Sequence, residues 1–436
     1  MAANNPVSFL KGLKSTYRSL QHRNYRLFFG GQSISLMGTW MQQITVSWLA
    51  FRLTHSAVIL GVIGFSSRIS IFLLAPFAGV LIDRWDRHRI LIVTQIFSMI
   101  QALTLALLVL TDRIAVWHII VLSLILGLIN CLDQPTRQTF VRDMVENEED
   151  LGNAIALNSS MNTAARLVGP SVAGILIATV GEGICFLLNG LSFIAVIMSL
   201  WAMKITVKKR EMQKTTVWRG LKTGLAYASG FPPIRSILLL LSLISLMAMP
   251  YTVLMPVFAR DILHGDAHTY GFLVAASGCG AFIAAIYLAS RQTVIGLLRM
   301  IVVNSMLFGL GLIIFSLSRV LWLSLLMMLL IGFGMMLAPA SCNTVIQTIV
   351  EEDKRGRVMS LFSMAFFGMI PFGSLLAGSL ADKIGAPGTI MISGISCILG
   401  AIMFATRLPN IKTFIRPIYI SKGIILKKEA VTPLND

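Results

Sequence analysis

Two arginines stand where an ionised side chain is expensive. Arg68 and Arg166 each lie about twelve residues into an apolar run of more than twenty. If these runs cross a membrane, a cation at that depth costs roughly 2.5–3.5 kcal/mol on insertion scales. It must then face a cavity, a carboxylate or backbone carbonyls. One acid, Asp133, sits well inside a run, near the inner end of the fourth, with Arg137 one helical turn later. Two chemistries follow. Asp133 and Arg137 are candidates for a charge pair or for carrying a proton. Arg166 either bridges Asp133 and braces the fourth run against the fifth, or binds an anion. Arg68 has no acid of its own half at its depth, since Asp112 and Glu182 lie at run ends. It is expected to meet substrate. A polar stripe accompanies these charges in the first run: Gln32, Ser35, Thr39 and Gln42, with Gln43 and Val46 continuing it. Spacing of three and four puts such residues on one helix face, which suits the wall of a polar cavity.

Twelve elements are available to position them. Of 436 residues, 56% are apolar and 13% are charged, against about 25% charged in ordinary soluble domains. A membrane helix needs ~20 apolar residues. The apolar total, about 244, therefore matches twelve spans and excludes a soluble enzyme. The runs extend from 25–51 to 388–406 and are too long and uniformly apolar for barrel strands. Lipid cannot satisfy backbone groups, so they must be helices. The expected fold class is an all-α membrane protein with twelve transmembrane helices in two pseudo-symmetric six-helix bundles. Its parts are an N-terminal tail (1–24), a first bundle (25–203), a basic linker (204–233), a second bundle (234–406) and a basic C-terminal tail (407–436).

The net charge of +17 does not point to nucleic acid. With the N-terminus placed inside, 29 of the 36 Lys and Arg fall in segments on that side, 5 fall on the other, and Arg68 and Arg166 make up the rest. Cytoplasmic loops carry such an excess, so both termini and the linker are expected in the cytoplasm. The five cysteines lie in apolar stretches without paired spacing and read as buried thiols. Gly332-Phe-Gly334 and Gly278-Cys-Gly280 fall inside spans and are not nucleotide loops. Neither a Walker A sequence nor a zinc-protease motif occurs. No enzyme activity, cofactor or metal is expected.

The halves repeat. Gly152, Gly169, Gly174 and Gly181 recur 204 residues later as Gly356, Gly373, Gly378 and Gly385. Parallel half-repeats with a site near the midplane form a transporter architecture. After the second run comes Gly79-Val-Leu-Ile-Asp83-Arg84-Trp85-Asp86-Arg87-His88-Arg89. This segment resembles the signature between the second and third helices of the major facilitator superfamily, with Asp86 where that pattern usually has a second glycine. The resemblance implies a gating role for Gly79, Asp83, Arg84 and Arg87. Arg166-Leu-Val-Gly169-Pro170-Ser-Val-Ala-Gly174 resembles the antiporter motif of the same superfamily, which is associated with export. Asp133-Gln-Pro-Thr-Arg137-Gln138 and Asn153-Ala-Ile-Ala-Leu-Asn158 are similar to the branch of enterobactin-exporter-like permeases and macrolide efflux pumps. The resemblance is strong over the first half and rests on the glycine pattern over the second. It implies a secondary transporter of a bacterial inner membrane, working by alternating access.

The reading favoured by buried arginine is export of a small polar or anionic, siderophore-like molecule by a monomer in the lipid bilayer. The alternative is a proton-coupled multidrug pump for apolar or cationic drugs, with Asp133 carrying the proton.

Overall fold

The computed structural model describes residues 18–145, 147–204, 217–291, 293–352 and 354–424, and their side chains except those at 75–80, 83–84, 148 and 217–223. After a short 3-10 turn, Arg18–Gln21, the first half forms α1 (Arg23–Thr54), α2 (Ala57–Arg84), α3 (Arg87–Leu110), α4 (Val116–Met144), α5 (Glu148–Val180) and α6 (Glu182–Trp201). A linker helix, Val217–Gly230, leads to α7 (Pro232–Ile262), α8 (Ala267–Ser290), α9 (Leu297–Leu317) and α10 (Leu321–Ile349). α11 covers 355–384 with a turn at 368–369, and α12 covers 386–421, the two being separated by the non-helical Gly385. No strand occurs among the described residues. The chain is an all-α, multi-pass membrane protein. Ten stretches are long and apolar enough to cross a membrane, the last of them holding both α11 and α12. α1 falls outside the ten because its arginines and glutamines dilute an otherwise sufficient length.

The glycine repeat is written into the backbone. Gly181 joins α5 to α6 with φ +83° and ψ 172°, and Gly385 joins α11 to α12 with φ +79° and ψ 159°. Both conformations are open to glycine and closed to most L-residues. The partners of the repeated glycines correspond too. Gly169 of α5 lies against Met37 and Trp40 of α1, and Gly373 of α11 lies against Leu246 and Pro250 of α7.

α7 is the irregular member. It passes from α-helix into a π-turn at Ile244–Ala248, a 3-10 stretch at Met249–Leu254, a short α-turn at Met255–Val257 and a second π-turn at Phe258–Ile262. Pro250 and Pro256 have no N–H to give, so the backbone shifts its bonding register around each.

Packing divides the chain differently from the sequence halves. One unit holds the described residues up to Val46 with those from Leu73 to Met212; the other holds Ser47–Phe72 with those from Gln213 onward. In the first, Tyr25, Phe28, Leu91, Phe140, Met144, Ala154 and Leu200 form a buried core, and the Tyr25 hydroxyl donates to the Ala154 carbonyl at 2.8 Å. In the second, the C-terminal end of α1 and the first half of α2 join α7–α12. A Cβ on Gly61 would lie 2.6 Å from the Ser374 carbonyl, and one on Gly378 would lie 2.7 Å from that of Ala57. Trp48 stacks on Tyr270 with ring centroids 6.2 Å apart. Small residues let α2 and α11 backbones meet, and that closeness carries Ser47–Phe72 into the second unit.

Candidate functional site

The signature segment begins at the close of α2 and ends in the first turn of α3. Asp86, the departure from the usual glycine, is the N-cap of α3. Its carboxylate accepts from the His88 N–H at 3.0 Å, so an Asx-type cap satisfies a donor that the helix leaves unpaired. Arg87 donates to Asp143, near the end of α4, at 3.1 Å, and its side chain is only 13% exposed. This ion pair fastens the start of α3 to α4. The side chains of Asp83 and Arg84, and the surroundings of Gly79, lie outside the described residues.

Asp133 is 2% exposed and fully engaged. One carboxylate oxygen accepts from Thr94 Oγ1 at 3.0 Å and Gln95 Nε2 at 2.7 Å, both from α3. The other is paired with Arg137 of its own helix. In place of the expected bridge to Arg166, the partners of the Asp133 carboxylate among the described residues are Thr94, Gln95 and Arg137. Asp133 braces α4 against α3, not against α5. Thr94 and Gln95 are the residues that sequence reasoning missed. Their signal was two adjacent polar residues inside an apolar run.

The α1 stripe splits into two faces. Ser35 (1% exposed) and Gln42 (2% exposed) share a face with Gly31 and Gly38, and that face is pressed onto α6. A Cβ on Gly31 would meet Ser199 at 2.5 Å, and one on Gly38 would strike the Asn189 side chain. Gln42 donates to Gln101 of α3 at 2.9 Å and accepts from Asn189 of α6 at 2.6 Å. Gln101 in turn donates to the Leu122 carbonyl of α4 at 3.2 Å. This amide chain ties four helices together. Ser35 and Gln42 are thus packing residues, correcting the expectation that they line a wall. Gln32 is buried as well. Thr39 is half-buried and Gln43 exposed, on the neighbouring face of α1.

Arg68 is half-buried in α2 and has an interaction partner in the structure. Arg166 is half-buried in α5, its guanidinium 5.8 Å from the centroid of the Trp40 ring. Trp40 was not among the expected site residues. Gly169, Pro170 and Gly174 follow Arg166 as a buried strip of α5. A Cβ on Gly169 would lie 2.7 Å from Trp40 Cβ and 3.3 Å from the Met37 carbonyl. Gly169→Val is therefore expected to push α5 off α1. Overpacking of this kind costs about 1–3 kcal/mol. The purified variant should melt several degrees lower, with its tryptophan fluorescence altered; an unchanged melt would show that the helices separate freely here.

Among the described residues the arrangement has no catalytic constellation. Its parts are interhelical braces, a capped and ion-paired turn between α2 and α3, and two intramembrane arginines, one in each packing unit. Known proteins agree with this picture. A family model described as a transmembrane secretion effector matches residues 14–417. The chain is 28% identical to the staphyloferrin A transporter of Staphylococcus aureus, across 89% of this chain and 97% of that one. It is 21% identical to macrolide efflux protein A of Streptococcus pyogenes, across 88% and 96%. Among solved structures, a nucleoside transporter superposes with a TM-score of 0.69 at 15% identity, covering 89% of this chain and 99% of that one. A bacterial homologue of the iron transporter ferroportin in its inward-facing state superposes at 0.67 and 18%, covering 88% and 98%. A match of this length, on this helical frame, makes the chain a member of the transmembrane secretion effector family of major facilitator transporters, and not an enzyme.

Proposed function

We propose that this chain exports a small anionic, siderophore-like molecule across a bacterial inner membrane by alternating access. Both termini and the linker lie in the cytoplasm, a placement that the Lys and Arg distribution supports. The observation that carries the reading is the state of the intramembrane charges. Asp133, buried well inside α4, is engaged by Thr94, Gln95 and Arg137, and Arg68 and Arg166 lie half-buried within α2 and α5. Among these groups positive charge exceeds negative, which suits an anionic cargo. The names of its relatives agree in class: one carries a siderophore name, and two kinds are called efflux proteins. The Gly79, Asp83, Arg84 and Arg87 segment, with Asp143 as partner of Arg87, gates the cytoplasmic side. The protein works as a monomer.

Inside-out membrane vesicles test this. A radiolabelled anionic siderophore should accumulate in vesicles containing the transporter, and Arg68→Ala should lower its initial uptake about ten- to a hundredfold, the loss expected for one charge-assisted contact. Uptake of ethidium in its place, abolished by Asp133→Asn, would establish the second reading, a proton-coupled multidrug pump. The macrolide efflux relative is the observation in its favour.

A further inference from the structure

Two contacts fix how α7 and α12 run against each other in the second packing unit. A Cβ on Gly400 of α12 would lie 2.4 Å from Leu243 of α7 and 3.3 Å from Leu240. Further along α12, the ring of Phe414 meets that of Phe231, just before α7, edge to face with centroids 6.2 Å apart. Arg235 of α7 and Arg407 of α12 lie between these contacts, and so within about one helical turn of the same level. Both are exposed, and neither forms an ion pair among the described residues. One turn from Arg235 stands Leu239, and one turn from Arg407 stands Met403, both exposed. Met403 ends a stripe on α12, with Ile392, Ile395 and Leu399, that is exposed and apolar and is therefore the side that lipid covers. The two arginines thus stand where the apolar surface stops.

Charge and shape there ask for one kind of occupant. Residues 231–243 and 386–424 contain no Asp or Glu, so no carboxylate of either helix answers the guanidiniums. Long basic side chains at the end of a span reach to the headgroup level, and the guanidinium fork matches phosphate oxygens bidentately. An acidic protein segment would suit the arginines. It could not follow Leu239 and Met403 into hydrocarbon, where unpaired backbone groups are excluded. A phospholipid satisfies both levels, with phosphate at the arginines and acyl chain below. The Phe231 and Phe414 rings close the seam on the other side of the arginines.

We propose that the α7–α12 seam binds an anionic phospholipid of the cytoplasmic leaflet, its phosphate held by Arg235 and Arg407 and an acyl chain laid along Leu239 and Met403. The choice of leaflet rests on the cytoplasmic placement of the termini; the site does not depend on which cargo is moved.

Native mass spectrometry of the purified full chain in an uncharged detergent, titrated with dioctanoyl phosphatidylglycerol, tests it. This lipid should bind about tenfold more tightly than dioctanoyl phosphatidylcholine, whose choline cancels the phosphate charge. Arg235→Gln and Arg407→Gln should each weaken binding about fivefold, the loss expected for one basic residue beside an anionic headgroup, and the double variant about twenty-five-fold. Arg235→Lys combined with Arg407→Lys, which keeps both charges, should retain most of the affinity. Arg299→Gln, at an exposed arginine in the first turn of α9, should change nothing. Unchanged affinity in a double glutamine variant with a normal melting curve would overturn the site. An equal loss in Arg299→Gln would reduce it to diffuse surface charge and overturn it as well. Glycerol phosphate, which lacks acyl chains, should bind far more weakly; binding as tight as that of the lipid would make the seam a site for soluble phosphate and overturn the lipid assignment.

Discussion

Gly332→Ala is expected to be one of the most damaging single methyl groups that can be added to this protein. α8 and α10 cross with their backbones touching at two glycines. A Cβ on Gly332 would fall on the Ser277 carbonyl, and a Cβ on Gly280 would fall on that of Leu329. Neither obstacle is a side chain that could swing away. Small residues at such a crossing supply dispersion contacts that lipid cannot replace. An added methyl forces the helices apart along their length, disturbing the Tyr251 hydroxyl at 2.9 Å from Ser277 Oγ. Ordinary overpacking costs about 1–3 kcal/mol, and a backbone obstruction should exceed the upper end. At roughly 2–4 °C per kcal/mol for a domain of this size, the melting temperature in detergent should fall by about 6–12 °C or more. Gly356→Ala is the control, because nothing lies within 4 Å of a Cβ there; it should be neutral or slightly stabilising. If the two variants melted together, the close crossing would be wrong.

Asp133→Ala should be nearly as severe, for an electrostatic reason. The substitution removes the acceptor of Thr94, Gln95 and Arg137 at once and leaves the Arg137 guanidinium, 16% exposed, without its counter-charge. Breaking one side of a buried pair costs about 3–5 kcal/mol, whereas replacing both members by apolar groups is often neutral. Three measurements follow. Asp133→Ala should unfold at much lower temperature than the unaltered protein. Asp133→Asn, which still offers an oxygen to Gln95, should fall between them. Asp133→Ala combined with Arg137→Leu should recover most of the loss, an interaction that a double-mutant cycle reports directly. Equal destabilisation by the single and double variants would show that the pair is not the brace. A stable Asp133→Asn protein that binds cargo but no longer moves it would turn Asp133 into a carrier of the transport step.

Twelve helices and their glycine repeat were legible before any coordinates, because the solvent does much of the specifying. In lipid each spanning segment must satisfy its own backbone, so length and apolarity alone mark a span. Gly181 and Gly385 could be paired by position, and they share one left-handed conformation because the same turn is made twice. The pair of Asp133 with Arg137 was also open to reading, since both lie on one helix four residues apart. The limits appear where a second helix is needed. Helical spacing places Gln32, Ser35, Thr39 and Gln42 on one broad side of α1, but it cannot say which neighbour that side meets. The Gly31 and Gly38 notches settle α6 against Ser35 and Gln42, and so turn a presumed wall into a brace. Arg166 looked toward Asp133 in sequence because opposite charges invite pairing. In space, α3 reaches the carboxylate first, and α1 brings Trp40 under the guanidinium. Ser47–Phe72 belongs to the first half by sequence and packs with the second through Gly61 and Gly378. A residue's type and period are local properties of one helix. Its partner is set by how close two backbones can come, and that distance is a property of the packed molecule.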